Sequence, residues 1–284
     1  MKISVGIPFF NAECYLECAI KSVIQQSLKD WELILVDDGS TDNSLDIARS
    51  FAQKDTRIRV ISDGLNKKLP YRLNQIIKES KGEYIARMDA DDLIHPERFK
   101  IQLEFLESNE NFDLVSTGVI SINDENKIKG IRKVNEIFSE FSEIKRHYPI
   151  VHASILARKT WYSRNNYNTE MPRSQDYELW CRAISKNDLK LAVLPEALYY
   201  YREEGLVTAE KLKRSYKDGL NVYKKYCKKP KLKILISSRI KFYAVDLLDY
   251  VGLLQKIIRL RNMEPISLDT IKYHEVIINN IVNK

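Results

Sequence analysis

The first 92 residues alternate between short apolar runs and amphipathic segments, and this alternation constrains the fold more than any other feature. Apolar runs at 3–8, 31–36, 58–61 and 84–88 are predicted strands, and segments at 13–27, 42–53 and 71–80 have helical spacing. Strands joined by helices usually pair in parallel, because the helix returns the chain to the same end of the sheet. The sequence therefore predicts an α/β fold with a Rossmann-like, mostly parallel sheet flanked by helices.

Polar motifs follow three of these strands. Pro8 to Asn11 ends the first strand, Asp37 to Ser40 the second, and Asp89 to Asp92 the fourth. Open parallel sheets bind ligands beyond the carboxyl ends of their strands, so we expect the three motifs to share one rim. Neither a GxxxxGK[ST] loop nor a GxGxxG motif after the first strand occurs, which excludes the two common glycine-rich phosphate-binding classes.

The acidic motif after the fourth strand is a candidate metal site. Asp89 and Asp91 flank Ala90, so alternation along the chain directs both carboxylates the same way, where they can bind one hard divalent cation. A cation in that position can stabilise the charge on a diphosphate leaving group. The structural alternative is a solvated turn with Asp92 as the cap of the next helix, and Asp92 can have that role in either case.

The motif after the second strand is a candidate nucleotide site. A carboxylate of Asp37 or Asp38 can accept a hydrogen bond from the N–H of a pyrimidine, and Phe10 can stack on the base. The alternative is a simple turn with its corner at Asp38 and Gly39, and the residues alone leave both interpretations open.

The second half contains two further candidate residues. Asp176 lies at the start of a predicted helix (176–185), where it can be an N-cap or a general base, and the pattern alone favours the cap. His152 is more often a hydrogen-bonded core residue than a ligand. A helix is also predicted at 135–146, between strands at 127–134 and 154–157.

The basic charge of the chain is concentrated near its C-terminal end. The 284 residues carry a net charge of +7, but residues 211–241 alone carry +11, with twelve Lys or Arg and one acid. This basic segment is either a solvated helical face or a contact with an anionic membrane surface. Apolar residues interleave with the charges: Tyr216, Tyr223, Tyr226, Leu232, Ile234 and Leu235. Because no signal peptide and no apolar run long enough to span a membrane is found, a cytoplasmic protein is expected, peripheral on the inner face of the plasma membrane if the segment binds lipid.

Taken together, residues 2–205 resemble family 2 glycosyltransferases of the GT-A fold. The resemblance is carried by the segments Ser4–Asn11, Ser22–Ser27, Val36–Asp42, Leu73–Gln75 and Gly82–Asp92. It implies an inverting transfer by direct displacement, a UDP-type donor, and Mn²⁺ or Mg²⁺ as cofactor. It also implies a catalytic domain at 1–205, with a nucleotide-binding half (1–92) and an acceptor half (93–205). Residues 206–284 lie outside the resemblance, and their own pattern predicts a basic helical extension.

The resemblance also assigns expected roles to single residues. Asp38, with Asp37, is expected at the uracil together with Pro8, Phe10 and Asn11, while Lys68 and Ala90 are expected beside the donor. Asp91, with Asp89, is expected to hold the metal. Gln175 and Asp176 resemble the acidic pair at the acceptor site, which favours Asp176 as the base, although relatives commonly carry Glu where this chain has Gln175. His152 and Trp180 are candidate acceptor contacts, and Arg202 is expected to approach the diphosphate.

The predicted function is transfer of a hexose or N-acetylhexosamine from a UDP-sugar to a saccharide acceptor, undecaprenyl-diphosphate-linked, in the synthesis of a surface polysaccharide such as a capsule or O-antigen. A homodimer is a further prediction, and no nucleic-acid partner is expected. Two alternatives stay open: a non-catalytic nucleotide-sugar-binding protein, and a sugar nucleotidyltransferase. The latter usually carries a Gly-rich basic loop near the first strand, which this sequence lacks.

Overall fold

The computed structural model describes residues 1–171, 173–203, 208–254, 257 and 266–283. The elements of the first half are β1 (Ile3–Phe9), α1 (Leu16–Ile24), β2 (Trp31–Asp37), α2 (Ser44–Lys54), β3 (Ile58–Ile61), α3 (Leu69–Glu79), β4 (Tyr84–Arg87), β5 (Leu93–Ile94) and α4 (Arg98–Ser108). Those of the second half are β6 (Leu114–Ile122), β7 (Ile128–Arg132), β8 (Leu156–Arg158), α5 (Lys159–Arg164), α6 (Gln175–Ser185), β9 (Leu191–Arg202), α7 (Ala209–Tyr226), α8 (Leu232–Tyr250) and α9 (Leu268–Asn283).

The sheet is parallel in its first half and mixed in its second. Strands β3, β2, β1 and β4 pair in parallel, as the sequence predicted. Beyond β4 the order continues β8, β6, β9 and β5; β8 is antiparallel to both β4 and β6, whereas β6 and β9 are parallel. The predicted Rossmann-like, mostly parallel sheet with flanking helices is confirmed.

Both faces of the first strands are covered by helices. In β2, Leu33 and Leu35 join the core under α1, α2 and α4, while Ile34 and Val36 join the core under α3 and α6. Each residue of β1 and β2 is buried, which explains why these strands appear as continuous apolar runs and not as alternating ones.

The helix predicted at 135–146 is wrong. This segment is irregular chain with bends, and Phe138 pairs with Val193 as an isolated antiparallel bridge. Phe138 and Phe141 pack against the core next to α6, with ring centroids 5.2 Å apart. Their spacing imitates a helical stripe, but tertiary packing explains it. Helix α5, by contrast, was not predicted.

The C-terminal helices contact the sheet domain at two places. Helix α7 packs on α6 and α8 packs on α7, while α9 packs against α1. Ile278 and Ile281 of α9 are buried with Leu93, Ile120 and Tyr200 of the sheet. None of the helices described is long and apolar enough to cross a membrane.

Candidate active site

The ends of β1 and β2 are hydrogen-bonded to each other at the rim. The backbone N–H of Asp38 donates to the Phe9 carbonyl over 2.8 Å. Asn11 has a left-handed backbone (φ 50°), and its side-chain oxygen accepts from the Thr41 N–H over 2.8 Å. The Asn11 N–H donates to the Ser40 hydroxyl over 3.1 Å. The first two polar motifs thus form one unit.

Asp38 holds a neighbouring loop in place. One of its oxygens accepts from the Lys67 N–H at 2.7 Å and from Arg72 Nε at 2.9 Å, and the other accepts from the Lys68 N–H at 3.1 Å. Lys68 has φ 72°, immediately before α3. Arg72 is fully buried and also pairs with Asp63. The second oxygen of Asp38 keeps a lone pair that a ligand can use.

Asp37 is buried beside Asp38 and has a similar arrangement. Its two oxygens accept from the Ser40 N–H at 2.9 Å and from the Ser62 hydroxyl at 2.8 Å, one bond each. Phe10 is 49% exposed at the same rim, so its ring is accessible to a planar ligand, whereas Pro8 is buried within β1. The structure thus brings the predicted nucleotide-binding residues of the first two motifs together.

Gly39 is required where this turn meets the loop. Its φ is +79°, and a Cβ placed on it would lie 3.0 Å from the carbonyl carbon of Leu65 and 3.1 Å from the nitrogen of Asn66. A side chain there would strain the backbone and push the loop away from Asp38.

Three carboxylates meet at the turn after β4. Oxygens of Asp89, Asp91 and Asp92 all lie within 4.8 Å of one another, a separation suited to a single small cation. Hard oxygen donors of this kind suit Mg²⁺ or Mn²⁺, so the donor set fits the predicted metal. Desolvation by the surrounding protein raises the pKa of both Asp91 and Asp92, and the negative charge of Asp89 raises it further. The cluster therefore favours a bound positive charge.

The prediction that Asp92 caps the next helix is wrong. The short strand β5 follows it, and α4 begins only at Arg98. Asp92 is buried, and its two oxygens accept from the Arg202 N–H at 2.7 Å and from the Tyr199 hydroxyl at 2.8 Å. Asp92 therefore fastens the acidic turn to β9, which lies about a hundred residues further along the chain.

Arg202 lies behind the acidic turn. Its Nε donates to the Asp91 carbonyl at 2.8 Å, and another nitrogen donates to Asn126 at 2.6 Å. The guanidinium carbon lies 4.4 Å from the centre of the Tyr15 ring. Three of its guanidinium nitrogens are bonded to the protein itself, and its expected approach to the diphosphate stays a prediction.

Arg87 is a site residue that the sequence interpretation missed. It is buried at the end of β4, forms an ion pair with Asp89, and its Nε has no hydrogen-bond partner among the residues described. Its charge opposes the effect of burial on the pKa of Asp176, so Arg87 is within electrostatic range of both Asp89 and Asp176. A lone arginine in the apolar run Tyr84–Arg87 was the available signal.

Asp176 is the second residue of α6, and the N-cap position belongs to Ser174. The N-cap interpretation is therefore not what the structure shows. Among the residues described, its carboxylate accepts a hydrogen bond from the Tyr177 N–H at 2.7 Å alone. Burial raises its pKa, with Arg87 opposing. A carboxylate without a countercharge in contact is suited to accept a proton.

A cavity of about 330 Å³ opens next to Asp176. Three parts of the chain line it: α6, the segment at 146–150, and α7. Its wall includes the aromatic residues Tyr148, Tyr177, Trp180 and Tyr216. Helix α7 of the C-terminal extension thus contributes directly to a space beside the candidate base, which the sequence did not indicate.

The other two candidates of this region lie behind the cavity wall. His152 is buried, its Nε2 lies 2.7 Å from the Tyr167 hydroxyl, and its ring packs on Trp180. Burial, followed by the charge of Arg87, lowers the pKa of His152 well below its usual value, so the ring is neutral. Gln175 is also buried. The structure places both close to the cavity wall as packed residues.

The sequence is similar to a family of known proteins over more than half of its length. The model of "Glycosyl transferase family 2" matches residues 4–169. EpsE of Bacillus subtilis (strain 168) is 36% identical over 207 residues, covering 72% of this chain and 73% of that protein. MJ1057 of Methanocaldococcus jannaschii is 31% identical over 206 residues, covering 70% of each. Both carry names that describe them as glycosyltransferases.

Solved structures show the same fold. TarS (residues 1–349) of S. aureus in complex with UDP aligns with a TM-score of 0.62 at 21% identity, covering 78% of this chain and 65% of that one. The mannosyltransferase PcManGT of Pyrobaculum calidifontis, in complex with GDP-Man and Mn²⁺, aligns with a TM-score of 0.57 at 16% identity, covering 91% and 74%. The predicted GT-A fold class is confirmed.

Proposed function

Since the chain belongs to glycosyl transferase family 2 and is a glycosyltransferase, we propose that it transfers a hexose or N-acetylhexosamine from a UDP-sugar to a saccharide acceptor, with inversion at the anomeric carbon. One observation carries the proposal: the carboxylates of Asp89, Asp91 and Asp92 follow β4, which pairs with β1 beside the Asp38 turn, and the charges of Arg87 and Asp89 both act on Asp176. A donor diphosphate and an acceptor hydroxyl would meet there.

The nucleotide occupies the rim formed by the first two motifs. Asp38 and Asp37 each retain acceptor capacity for the N–H of uracil, and the exposed ring of Phe10 offers a stacking face. TarS has been crystallised with UDP and with UDP-GlcNAc, which supports a UDP donor. PcManGT carries GDP-Man, so guanine donors belong in the test.

Asp89 and Asp91 would hold the divalent cation, Mn²⁺ or Mg²⁺. When bound, the cation supplies positive charge beside the diphosphate and stabilises its departure. Asp92 and Arg202 keep the turn in position from behind, through the bonds to β9 and to the Asp91 carbonyl. Arg87 holds the Asp89 side chain through their ion pair.

Asp176 removes the proton from the acceptor hydroxyl. The acceptor oxygen then forms a bond to the anomeric carbon on the face opposite the diphosphate, and the bond from that carbon to the diphosphate oxygen breaks. The nucleoside diphosphate leaves with the electron pair, and the proton stays on Asp176. The raised pKa of this carboxyl brings it closer to the pKa that efficient proton transfer requires near neutral pH.

The acceptor occupies the cavity beside Asp176. Aromatic faces such as those of Tyr148, Trp180 and Tyr216 suit the apolar face of a sugar ring, and the carboxylate supplies a polar contact. We place the acceptor on a lipid diphosphate of the undecaprenyl type, in surface polysaccharide synthesis at the cytoplasmic face of the plasma membrane. This part of the proposal follows from the basic extension and from the family resemblance.

A donor panel tests the proposal. The purified chain is incubated with UDP- and GDP-sugars, with and without Mn²⁺, and with saccharide acceptors, and release of the nucleoside diphosphate is measured. We expect UDP release that requires both metal and acceptor. Binding of a UDP-sugar without release from any pair would instead favour a non-catalytic binding protein, and diphosphate release from UTP would favour a nucleotidyltransferase.

A matched pair of variants tests the metal residues. Asp91→Ala should lower transfer about 10²- to 10³-fold, because it removes an exposed ligand of the cation that stabilises the leaving group. Asp46→Ala removes an exposed acid of α2 and should leave transfer unchanged. Near-full activity of Asp91→Ala with Mn²⁺ present would contradict the proposed site.

A further inference from the structure

Helix α8 carries apolar side chains on two opposite faces. One face packs on α7 and contains the buried Val245 and the partly buried Ile234 and Leu248. The opposite face is a row of six exposed residues, between 51% and 90% accessible, that we call the α8 stripe: Leu232, Ile236, Ile240, Tyr243, Leu247 and Tyr250. Because both faces are apolar, the sequence of α8 shows no clear amphipathic pattern.

The α8 stripe is continuous. Its members follow one another at intervals of three or four residues, so they lie on a single side of a helix with 3.6 residues per turn. The row runs from Leu232 to Tyr250, a length of about 27 Å at about 1.5 Å per residue. Single exposed apolar residues are ordinary on protein surfaces, but a contiguous row of this length indicates a surface that contacts a partner.

Positive charge borders the α8 stripe. Lys233 and Arg239 are exposed and flank the row on its two sides. Residues 208–254 together contain twelve Lys or Arg and four acidic residues. One of the acids near the stripe, Asp246, is already paired with Lys213 of α7 at 2.6 Å. With Asp246 paired, α8 itself keeps three basic residues (Lys233, Arg239 and Lys241) against one acid, Asp249, so the net charge around the stripe is positive.

This charge distribution selects among possible partners. If two copies paired through the stripe, the basic borders of both would be brought together, which is unfavourable. An anionic lipid surface supplies the opposite charge and an apolar layer at the depth that the stripe would reach. We propose that α8 docks in the headgroup region of an anionic membrane, with its axis along the surface and the α8 stripe facing the acyl chains.

Most apolar residues that the sequence suggested for a membrane contact are not available for one. Tyr223 is buried, and the Tyr226 hydroxyl is bonded to the buried Glu178 of α6. Ile234 and Leu235 are partly buried on the packed side of α8. Of the apolar residues noted in the sequence, Leu232 alone belongs to the α8 stripe.

Docking through α8 would also place the cavity near the lipid. Helix α7 contacts α8 and lines the cavity beside Asp176. The cavity is thus separated from the docking helix by about one helix diameter, roughly 10 Å. A saccharide acceptor on a membrane lipid could enter from that side; this consequence rests on the proposed function, whereas the docking itself does not.

Vesicle flotation tests the docking. The full chain is mixed with neutral phosphatidylcholine vesicles or with vesicles containing one quarter phosphatidylglycerol, at low and at physiological salt. We expect recovery with the anionic vesicles and weaker recovery as salt rises. Lys233→Gln with Arg239→Gln should lower the partition coefficient about thirtyfold, or about 2 kcal/mol.

The stripe variant is Ile236→Gln with Ile240→Gln and Leu247→Gln, and it should lower the partition coefficient about a hundredfold. Its matched control carries Ile137→Gln with Leu268→Gln and Val276→Gln, three exposed apolar residues outside α8, and should bind as the wild type does. The substituted residues are exposed, so circular dichroism and Tm should be unchanged in both.

Three results would overturn the proposal. They are absence of wild-type binding to anionic vesicles at low salt, equal binding by the stripe variant, and a dimer in solution that the stripe variant dissolves while vesicles are not bound. UDP release with a soluble acceptor is measured in parallel. The stripe variant should retain it, so a failure of docking and a failure of the proposed transfer are distinguishable.

Discussion

Replacing Asp176 with asparagine removes one negative charge from the cavity wall and preserves the size of the side chain. Within the described part of the chain, the carboxylate accepts a hydrogen bond only from the Tyr177 N–H, and the amide oxygen of asparagine can keep that bond. No ion pair is broken among those residues. The substitution should therefore act on proton transfer and leave the binding surfaces in place.

The expected loss can be estimated from the role of a general base. Such a base typically contributes 10²- to 10⁴-fold, so kcat should fall by about that factor, or roughly 3–5.5 kcal/mol of transition-state stabilisation. The affinity for UDP should stay the same, because the proposed nucleotide site is at the rim near Asp38. In the wild type, kcat/KM should rise with pH through a pKa above the usual 3.8, since burial raises it and only the ionised base is active.

The same pKa determines the sign of the stability change. The folded-state pKa of Asp176 lies above its value in the unfolded chain, so between the two values the folded state binds more protons. The ionised carboxyl therefore destabilises the fold at neutral pH, and the penalty disappears at pH values below the unfolded pKa of 3.8, where both states are protonated. Asp176→Asn should raise Tm at pH 7.5 and have little effect on it in strong acid.

The measurements are UDP release at saturating donor, calorimetric binding of UDP, and Tm at several pH values, with the exposed Asp46→Asn as matched control. A variant that is more stable and nearly inactive would identify Asp176 as a functional residue. Retention of more than about a tenth of the wild-type kcat would refute the base role. A parallel loss of Tm and UDP affinity would instead indicate a structural residue.

Three further substitutions test the surrounding structure. Gly39→Ala, with φ +79° and a Cβ 3.0 Å from Leu65, should cost about 1–3 kcal/mol in chemical unfolding and weaken UDP binding; an unchanged Kd would argue against the turn as the nucleotide site. Tyr226→Phe removes the hydrogen bond to the buried Glu178 carboxylate and should lower the unfolding free energy by about 1.5–3 kcal/mol, whereas an unchanged value would mean that this bond does not anchor α7. Burial lowers the pKa of His274 to about 4. Because the unfolded chain takes up this proton first, the wild-type fold should lose on the order of 2 kcal/mol of stability as pH falls from 6.5 to 5. His274→Gln should lose less stability over that pH range, and an equal loss would show that His274 does not cause the pH dependence.

The order of elements in the first half was predictable from the sequence. The runs that became β1, β2, β3 and β4 are bounded by turn residues and separated by helical spacing, and both signals are local. The three polar motifs at strand ends follow from the same pattern, because parallel pairing brings carboxyl ends to one rim. The acidic turn and the nucleotide rim could thus be proposed before any contact was known.

Tertiary contacts decided what several residues do. In its local sequence Asp92 resembles a helix cap, but its carboxylate accepts two hydrogen bonds from β9 and so holds the acidic turn against that strand. The segment at 135–146 has helical spacing, yet pairing with Val193 and packing against α6 leave it without a helix. In both cases the partner lies dozens of residues away in the chain, where propensity and spacing carry no information.

The acidic motif was predictable from the sequence, whereas the cavity and the α8 stripe depend on tertiary packing. The spacing of Asp89 and Asp91 was enough to predict a cation site, because alternation directs both carboxylates from one strand end the same way. The cavity beside Asp176 exists only because α7 packs on α6, and the α8 stripe is recognisable only once the opposite face of that helix is covered. Local periodicity determines which element a segment forms, but burial is a property of the assembled neighbours, and it decides which apolar face is left for a partner.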